Sequence, residues 1–263
     1  MSNILWKLGR AWVVCSLFAA WPAWGACSRD IHIAWDQWPP YIYRDDAKIL
    51  HGLDVDLIDA IAREAHCKVI FSGPIPAKRQ YLYLLDGSLD MQAAASVIPE
   101  RESEAWFTRP YRREIISLFV RQGEKAQFPI GRLSDMTKRD WKIIVPFNGW
   151  FGKEYAALRP QLHHTNLLSE YISTDQGLRM LEFHRGDILM GDFLAFVYEA
   201  EQNHGGIEAL PITVNDAPVH FMLSKKTMTE ADVAAINTAI ARLTARGELQ
   251  KIVARYGWKQ IGH

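Results

Sequence analysis

The stretch LLDGSLDMQAAAS, residues 84–96, ends a helix at a glycine and continues through an aspartate into an apolar strand that stops at a serine. The stretch EFHRGDILMGD, residues 182–192, repeats this order of helix end, glycine, aspartate, apolar strand and polar stop. Two units of this kind indicate two similar α/β lobes with a cleft between them. The alternative is a chance similarity between two helix–glycine–strand joints, which are common in α/β proteins.

The elements around these two stretches alternate between strand and helix, as in a parallel α/β sheet. Alternating apolar residues predict a strand at 30–35, and apolar residues at helical spacing predict a helix at 54–66. Two consecutive prolines place WPPY, residues 38–41, in a loop. Further strands are predicted at 68–71, 90–96, 114–123, 141–147, 188–192 and 217–226, and further helices at 77–87, 148–159, 175–187, 193–203 and 229–256 with a break near Gly247.

The first 25 residues have the pattern of a secretion signal. Lys7 and Arg10 precede an apolar run of about ten residues, and AWG at 23–25 supplies small residues for cleavage. The run is too short to cross a bilayer, which takes about 20 residues. We therefore expect a cleaved signal peptide and an exported, periplasmic protein. The alternative is a lipoprotein anchored at Cys27, although Trp24 stands where a lipoprotein signal has an aliphatic residue.

The charge balance excludes one class of partner. The chain has 30 basic and 30 acidic residues, and residues 1–25 contain two basic residues and no acidic ones. Without the signal, 28 basic residues face 30 acidic ones, a formal charge of −2. Proteins that bind nucleic acids present a strongly basic surface. We therefore expect no nucleic-acid partner.

Cys27 and Cys67 are the two cysteines that remain after removal of the signal. In an oxidising compartment, an even pair of cysteines predicts one disulfide. The alternative is two unpaired buried thiols. Two cysteines without histidines at zinc-finger spacing do not indicate a metal site, and the sequence shows no cofactor motif.

Polar residues stand at the predicted strand ends, where parallel α/β sheets bind ligands. Ser96 ends one strand, Arg101 follows it by five residues, and Asp192 ends the corresponding strand of the second unit. An arginine holds a carboxylate through two parallel hydrogen bonds, a serine hydroxyl adds a further donor, and an aspartate accepts from an ammonium group. Together these groups predict recognition of an α-amino acid.

Each of these residues also has a structural interpretation. Arg101 lies among glutamates and is equally explained as a solvated surface charge, and Asp192 as the N-cap of the helix that follows it. Trp38 and Tyr41, in the proline-containing loop, either line the ligand site or cover the sheet as core aromatics. The functional interpretation is favoured by the position of these residues, because four strand ends are predicted to meet at one cleft.

Five stretches in this order resemble solute-binding protein family 3, the exported polar-amino-acid-binding proteins of ABC importers. They are IAWDQWPPYIY (33–43), GLDVDLIDAIA (52–62), GSLDMQAAASVIPERESEAWFTRPY (87–111), RGDILMGD (185–192) and ARGELQKIVARYG (245–257). The third stretch is the most specific of them. The resemblance extends over nearly the whole chain after the signal.

The resemblance implies an α/β, two-lobed periplasmic-binding-protein type II fold, with two mixed sheets flanked by helices and joined by two hinge strands. The first lobe is expected to comprise 26–118 and 214–263, and the second lobe 119–213. By the family pattern, Arg101 matches the carboxylate-binding arginine, Ser96 a neighbouring contact and Asp192 the acid that takes the α-amino group. Trp38 falls near the aromatic that covers the ligand side chain, and Asp36 lies where some members contact that side chain.

Two departures from the family pattern bear on the ligand. The residues before Ser96 are alanines, where the family often has a hydroxyl or a glycine. The second lobe has NGWFG at 148–152, where the family often has a threonine or serine after the glycine. The backbone N–H groups near Gly149 remain able to hold an anion, and Trp150 and Phe151 enlarge the apolar wall. We therefore expect an aromatic or otherwise apolar ligand in preference to a basic amino acid.

The expected function is that of a monomeric, non-enzymatic binding protein that traps a small amino-acid-like ligand and delivers it to the membrane subunits of an ABC importer. A ligand sensor and a degenerate member of the family are alternatives. Another is an enzyme of the cyclohexadienyl dehydratase type, which is found on the same fold and needs a general acid in the cleft.

Overall fold

The computed structural model of the chain describes residues 27–204 and 206–257. The predicted signal peptide, residues 1–25, lies outside the described residues. In chain order the elements are β1 (Ile31–Trp35), β2 (Tyr43–Arg44), β3 (Leu50–His51), α1 (Leu53–Ala65), β4 (Val69–Pro74), α2 (Ala77–Asp86), β5 (Met91–Ala95), α3 (Pro99–Glu104), β6 (Ala105–Arg121), β7 (Ile143–Pro146), α4 (Lys153–His164), β8 (Leu168–Tyr171), α5 (Thr174–Glu182), β9 (Ile188–Asp192), α6 (Phe193–Glu199), β10 (Ile207–Ser224), α7 (Glu230–Ala245) and α8 (Glu248–Arg255). Short 3-10 turns cover Lys125–Gln127 and Leu133–Thr137, and a π turn follows α6 at Ala200–His204.

Eight strands form one mixed sheet in the order β4-β1-β5-β10-β6-β9-β7-β8, and β2 pairs separately with β3. β1 is parallel to β4 and β5, and β7 is parallel to β8 and β9. β6 and β10 are antiparallel to each other and connect the first lobe, built on β4, β1 and β5, to the second lobe, built on β9, β7 and β8. The predicted fold class is confirmed. The two expected sheets are continuous with each other because both lobes pair with β6 or β10.

The strands of the second lobe carry apolar side chains on both faces, so an apolar cluster packs on each face of the sheet. Neighbouring residues of a strand point to opposite faces, and Ile143 and Ile144 of β7 accordingly lie in two different apolar clusters. Leu189 and Met190 of β9 divide between the same two clusters. The first lobe has its own core, in which α1, α7 and the end of β10 pack on β1.

Both connecting strands are longer than the sequence predicted. β6 begins at Ala105 instead of 114, and β10 begins at Ile207 instead of 217. Prolines are rare inside sheets because they lack the backbone donor, so Pro110 and Pro211 made the added parts of these strands look like loops. The sheet accommodates them at shifts in the β6–β10 register, which occur between Ala209 and Thr213 and on both sides of His220, the partner of Pro110.

The disulfide predicted from the cysteine count is confirmed. Cys27 and Cys67 are bonded, with their Cα atoms 5.0 Å apart. Cys27 precedes β1, and Cys67 lies in the turn between α1 and β4. The bond therefore joins the chain at the starts of two strands that pair in parallel, from Ile31 beside Val69 onward.

None of the helices in the described ranges is both long enough and apolar enough to cross a membrane.

Candidate ligand-binding site

A cavity of about 580 Å³ lies between the two lobes. Its wall contains the carboxyl-terminal residues of five strands, which are Trp35, Ala95, Pro146, Tyr171 and Asp192. Ligands of α/β sheets bind beyond these strand ends, and a cavity of this volume is typical of a small-molecule site.

The cavity brings together almost all of the residues that the sequence singled out. Its lining includes Asp36, Trp38, Ser96, Arg101, Gly149, Trp150, Phe151 and Asp192. Tyr41 is the exception, because its side chain is fully buried behind the wall. The structure thus places Tyr41 in a supporting position, where it contacts Asp192 from behind.

The loop that holds Trp38 and Tyr41 is fixed by the start of α1. The N–H of Leu53 donates to the Pro40 carbonyl at 2.9 Å, and the N–H of Asp54 donates to the Tyr41 carbonyl at 2.8 Å. A glycine is required at position 52, because a Cβ there would lie 2.2 Å from the Tyr41 oxygen. The rings of Trp38 and Tyr41 pack with their centroids 4.2 Å apart.

Asp192 is the N-cap of a helix and also lines the cavity. Its Oδ1 accepts from the N–H of Ala195 at 2.8 Å, so it is the N-cap of α6. The Tyr41 hydroxyl donates to the same carboxylate, 2.9 Å from each oxygen. Asp192 also lines the cavity, and burial raises the pKa of its carboxyl to about 6. One side chain of the second lobe therefore caps a helix, contacts the first lobe and faces the ligand space.

A buried ion pair forms part of the cavity floor. The Arg112 guanidinium donates to Asp54 through Nε at 2.7 Å and Nη2 at 3.0 Å. The Tyr111 hydroxyl donates to the same carboxylate at 3.1 Å and accepts from the N–H of Ala94 at 3.0 Å. The guanidinium carbon of Arg112 also lies 4.2 Å from the centre of the Tyr41 ring. Arg112 is therefore a fixed positive charge, with three of its five N–H donors bound to Asp54 and to the Arg113 carbonyl.

Glu114 is a further acid in the cavity wall, and the sequence analysis did not identify it. Its side chain is half-buried, and no hydrogen bond or ion pair of its carboxylate is found within residues 27–204 and 206–257. Burial, and secondarily the charge of Asp192, raise the pKa of Glu114 to about 8. One signal was available in the sequence. Arg112, Glu114 and Ile116 alternate along β6, so these residues face the same side of the sheet.

These raised pKa values predict a stability that falls as the pH rises. The unfolded chain loses the Glu114 proton near pH 4.5, whereas the ligand-free fold keeps it until about pH 8, so ionisation between these values favours unfolding. Asp192 acts in the same direction between about pH 4 and 6. In urea unfolding, Glu114→Gln should gain at least about 1 kcal/mol relative to the wild type between pH 5 and 8.5. Parallel stability curves for the two proteins would contradict the assigned environment of Glu114.

Arg101 lies at the other side of the cavity, on α3. Its guanidinium approaches the Ser96 carbonyl at 3.4 Å and lies 5.6 Å from the centre of the Tyr81 ring. Across the described ranges no acidic side chain forms an ion pair with it. Most of its donors therefore remain available to a molecule in the cavity.

Two buried polar atoms of the same wall also have no hydrogen-bond partner among the described residues. They are Nε1 of Trp35 and Oε1 of Gln92, and both residues line the cavity. Buried polar atoms are nearly always hydrogen-bonded. An unpaired donor and an unpaired acceptor in the first lobe therefore support a ligand that supplies the missing partners.

The second lobe contributes mainly apolar surface to the cavity. Phe151 packs against the core of this lobe, with its ring centre 6.0 Å from that of Tyr155. A Cβ at Gly149 would lie 2.4 Å from the Phe151 ring, so the glycine permits this close approach. Trp150 is half-buried in the wall.

Among the described residues, no group of three or more histidine, cysteine, aspartate or glutamate side chains is arranged to hold a metal ion.

Three structural neighbours show the same fold at low sequence identity. An ancestral arginine-binding protein bound to arginine superposes with a TM-score of 0.70 at 20% identity, covering 88% of this chain and 98% of its own. A histidine kinase sensor domain with similarity to periplasmic binding proteins gives 0.73 at 19%, covering 87% and 96%. An ancestral amino acid-binding protein, described as a precursor of cyclohexadienyl dehydratase, gives 0.70 at 19%, covering 88% and 95%.

No curated protein sequence matches the chain. The model of one protein family does, and its match covers residues 31–259, from the start of β1 to beyond α8. This range includes both lobes, the connecting strands and every residue of the cavity described above. The chain therefore belongs to the bacterial extracellular solute-binding proteins, family 3.

Proposed function

We propose that the protein is exported to the periplasm, where it binds a small amino-acid-like ligand in the cleft and delivers it to an ABC importer. The observation that supports this proposal is the chemistry gathered in one cavity of about 580 Å³. Arg101 offers unpaired donors on one side, and the carboxylate of Asp192 and the carboxyl group of Glu114 lie on the other. A carboxylate and an ammonium group on one small molecule complement these two sides.

In this proposal the ligand joins the two lobes. Its carboxylate binds Arg101 and the nearby Ser96, and its ammonium group binds Asp192. We assign 26–118 and 214–263 to the first lobe and 119–213 to the second. Bending of β6 and β10, which connect the lobes, then opens and closes the cleft, as in hinge motions of other binding proteins.

The test of this proposal is thermal unfolding of the chain from Ala26 onward against the twenty amino acids. A ligand at 100 times its dissociation constant should stabilise the fold by about 2.7 kcal/mol, which for this size is a shift of about 5–10 °C. We expect Arg101→Ala to weaken binding at least about 10-fold, because a charge-assisted hydrogen bond is lost.

The matched control is Arg109→Ala, which removes an exposed arginine that does not line the cavity. It should bind the ligand as the wild type does. The absence of a shift with any amino acid would remove the amino-acid proposal, and equal weakening by both variants would remove the role of Arg101.

Glu114 gives one specific reason to consider an enzyme as the second candidate. With a pKa of about 8 it is a carboxylic acid at neutral pH, and a general acid is what a dehydratase of the cyclohexadienyl type needs. Incubation with prephenate and detection of phenylpyruvate tests this candidate. Turnover that disappears in Glu114→Gln would establish it, whereas binding of amino acids without turnover favours the binding protein.

A further inference from the structure

We propose that Glu114 and Asp192 together form a two-carboxylate acceptor for a cationic group, and that the cleft therefore prefers a ligand of net positive charge over a neutral amino acid. This inference rests on the proposed binding function and names the class of its ligand. It also replaces the preference for an apolar ligand that the sequence alone suggested.

The register of the sheet brings the two acids to the same place. Ile116 of β6 lies directly opposite Asp192 of β9. Glu114 is two residues before Ile116, so it faces the same side of the sheet. Glu114, Ile116 and Asp192 all line the cavity.

Neither carboxylate is neutralised by a partner of its own. Asp192 accepts hydrogen bonds from the Tyr41 hydroxyl and the Ala195 N–H, which are both uncharged donors. Glu114 has no hydrogen bond or ion pair in the described ranges. The nearby cation, Arg112, is held by Asp54 through two hydrogen bonds.

The acids and cations of the cavity nearly cancel, so the ionisation of Glu114 decides their sum. The carboxylates in its lining are Asp36, Asp54, Glu114 and Asp192. The cations are Lys78 and Arg101 in the lining and Arg112 behind it. With Glu114 protonated, the three other acids balance the three cations, and with Glu114 ionised the acids exceed the cations by one. A ligand with one additional positive charge compensates an ionised Glu114, whereas a neutral amino acid does not.

The aromatic wall suits such a ligand as well as it suits an apolar one. Trp35, Trp38, Tyr81 and Trp150 line the cavity. Aromatic faces attract ammonium and guanidinium groups, and they also pack against the methylene stems of lysine and arginine side chains. Trp150 and Phe151 of the second lobe were the reason to expect an apolar ligand. They are equally compatible with a cation bound at Glu114.

Binding of a cation should release a proton. In the empty cleft at pH 7, Glu114 is protonated, because burial and the charge of Asp192 raise its pKa. A ligand cation stabilises the carboxylate, so the O–H bond of Glu114 breaks and its proton passes to the buffer. The charged groups that act on Glu114 are Asp192, Arg112 and Asp54. The charge of Glu114 in turn acts on the hydroxyls of Tyr41 and Tyr171, which stay protonated in this pH range. Affinity for a cationic ligand should therefore increase from pH 6 to pH 8.

The experiment compares ligands of equal shape and different charge by calorimetry at pH 7. L-Arginine is paired with L-citrulline, and L-lysine with L-norleucine, in buffers of different ionisation enthalpy. We expect the cationic member of a pair to bind at least about 10-fold more tightly, with release of close to one proton. Glu114→Gln should lose that preference and the proton release, whereas Glu154→Gln, an exposed control on α4 outside the cavity, should keep both.

The outcomes separate this inference from the proposed function. If the wild type binds citrulline as tightly as arginine and norleucine as tightly as lysine, the role of Glu114 is overturned and the binding function stands. The same conclusion follows if Glu114→Gln retains the preference. If the wild type binds none of the twenty amino acids, both are overturned. The wild-type comparison needs no variant, so it decides the question even if Glu114→Gln does not fold.

Discussion

Replacement of Arg112 by methionine should lower the free energy of unfolding by about 3–5 kcal/mol, a large part of the stability of an ordinary domain. The Arg112 and Asp54 side chains are 1% and 2% exposed and form a bidentate pair. Methionine fills much of the same space but leaves the Asp54 carboxylate buried without a cation. The cost arises from that uncompensated charge, because a buried ion pair by itself contributes little net stability.

The adjacent residue provides the control for this prediction. Arg113 is 54% exposed and pairs with Asp216, which is 32% exposed, and exposed pairs contribute at most about 1 kcal/mol. Urea unfolding should therefore show a small effect for Arg113→Met and a large one for Arg112→Met. The double variant Asp54→Leu with Arg112→Met should recover much of the loss, because neither charge of the pair is left buried without its partner. Equal effects of the two single variants would contradict the assigned burial.

The charge of Arg112 also affects the two acids of the cavity wall, Glu114 and Asp192. Arg112 lowers the pKa of both Glu114 and Asp192 through its charge, although burial outweighs this effect at each acid. Removal of Arg112 should therefore raise both pKa values further. A loss of ligand binding in Arg112→Met would then have two causes, a smaller folded fraction and the altered pKa values of the two acids. The urea measurement gives the folded fraction, so the remaining loss of binding is due to the acids.

The position of the cleft could be predicted because it follows from local patterns. Gly87 ends α2 in the left-handed conformation, as the sequence indicated, and β5 ends at Ala95, immediately before Ser96. The corresponding strand of the second lobe ends at Asp192. The parallel strands of each lobe place their carboxyl ends at one edge. Because β5 and β9 run in opposite directions on either side of β10 and β6, these two edges face each other across the cavity, with Ser96 on one and Asp192 on the other.

The floor of the cleft could not be predicted in this way, because it depends on contacts between distant elements. The pairing of Asp54 with Arg112 joins α1 to β6 across 58 residues of sequence. The position of Glu114 depends on the β6–β9 register. Tyr41 lies behind the wall because Asp192 and Arg112 both pack against it.

The end of α5 is a second feature that the sequence did not predict, because it also depends on a contact between separate elements. The sequence predicted that this helix stops at Gly186, but it ends at Glu182. Gly186 has a different reason to be a glycine, because a Cβ there would lie 2.5 Å from the Ile144 side chain. A close approach between a turn and a neighbouring strand leaves no periodic signal in the sequence.

Replacement of both disulfide cysteines by serine should cost about 4 kcal/mol of unfolding free energy. The bond between Cys27 and Cys67 closes a loop with a sequence separation of 40. Its removal gives the unfolded chain more conformations, and the entropy of a loop of this length corresponds to about 4 kcal/mol. The melting temperature should fall by about 8–16 °C for a chain of this size.

The neighbouring Ser28 allows the disulfide to be separated from other contacts of the same segment. The Ser28 hydroxyl donates to Asp232 at 2.8 Å, so Ser28→Ala removes one hydrogen bond there and should cost only about 1 kcal/mol. Dithiothreitol should destabilise the wild type and Ser28→Ala as much as the double serine substitution does, and it should not affect the double variant. If the double variant unfolds within about 1 kcal/mol of the wild type, the hydrogen bonds to Asp232 and the β1–β4 pairing hold the N-terminal segment without the disulfide.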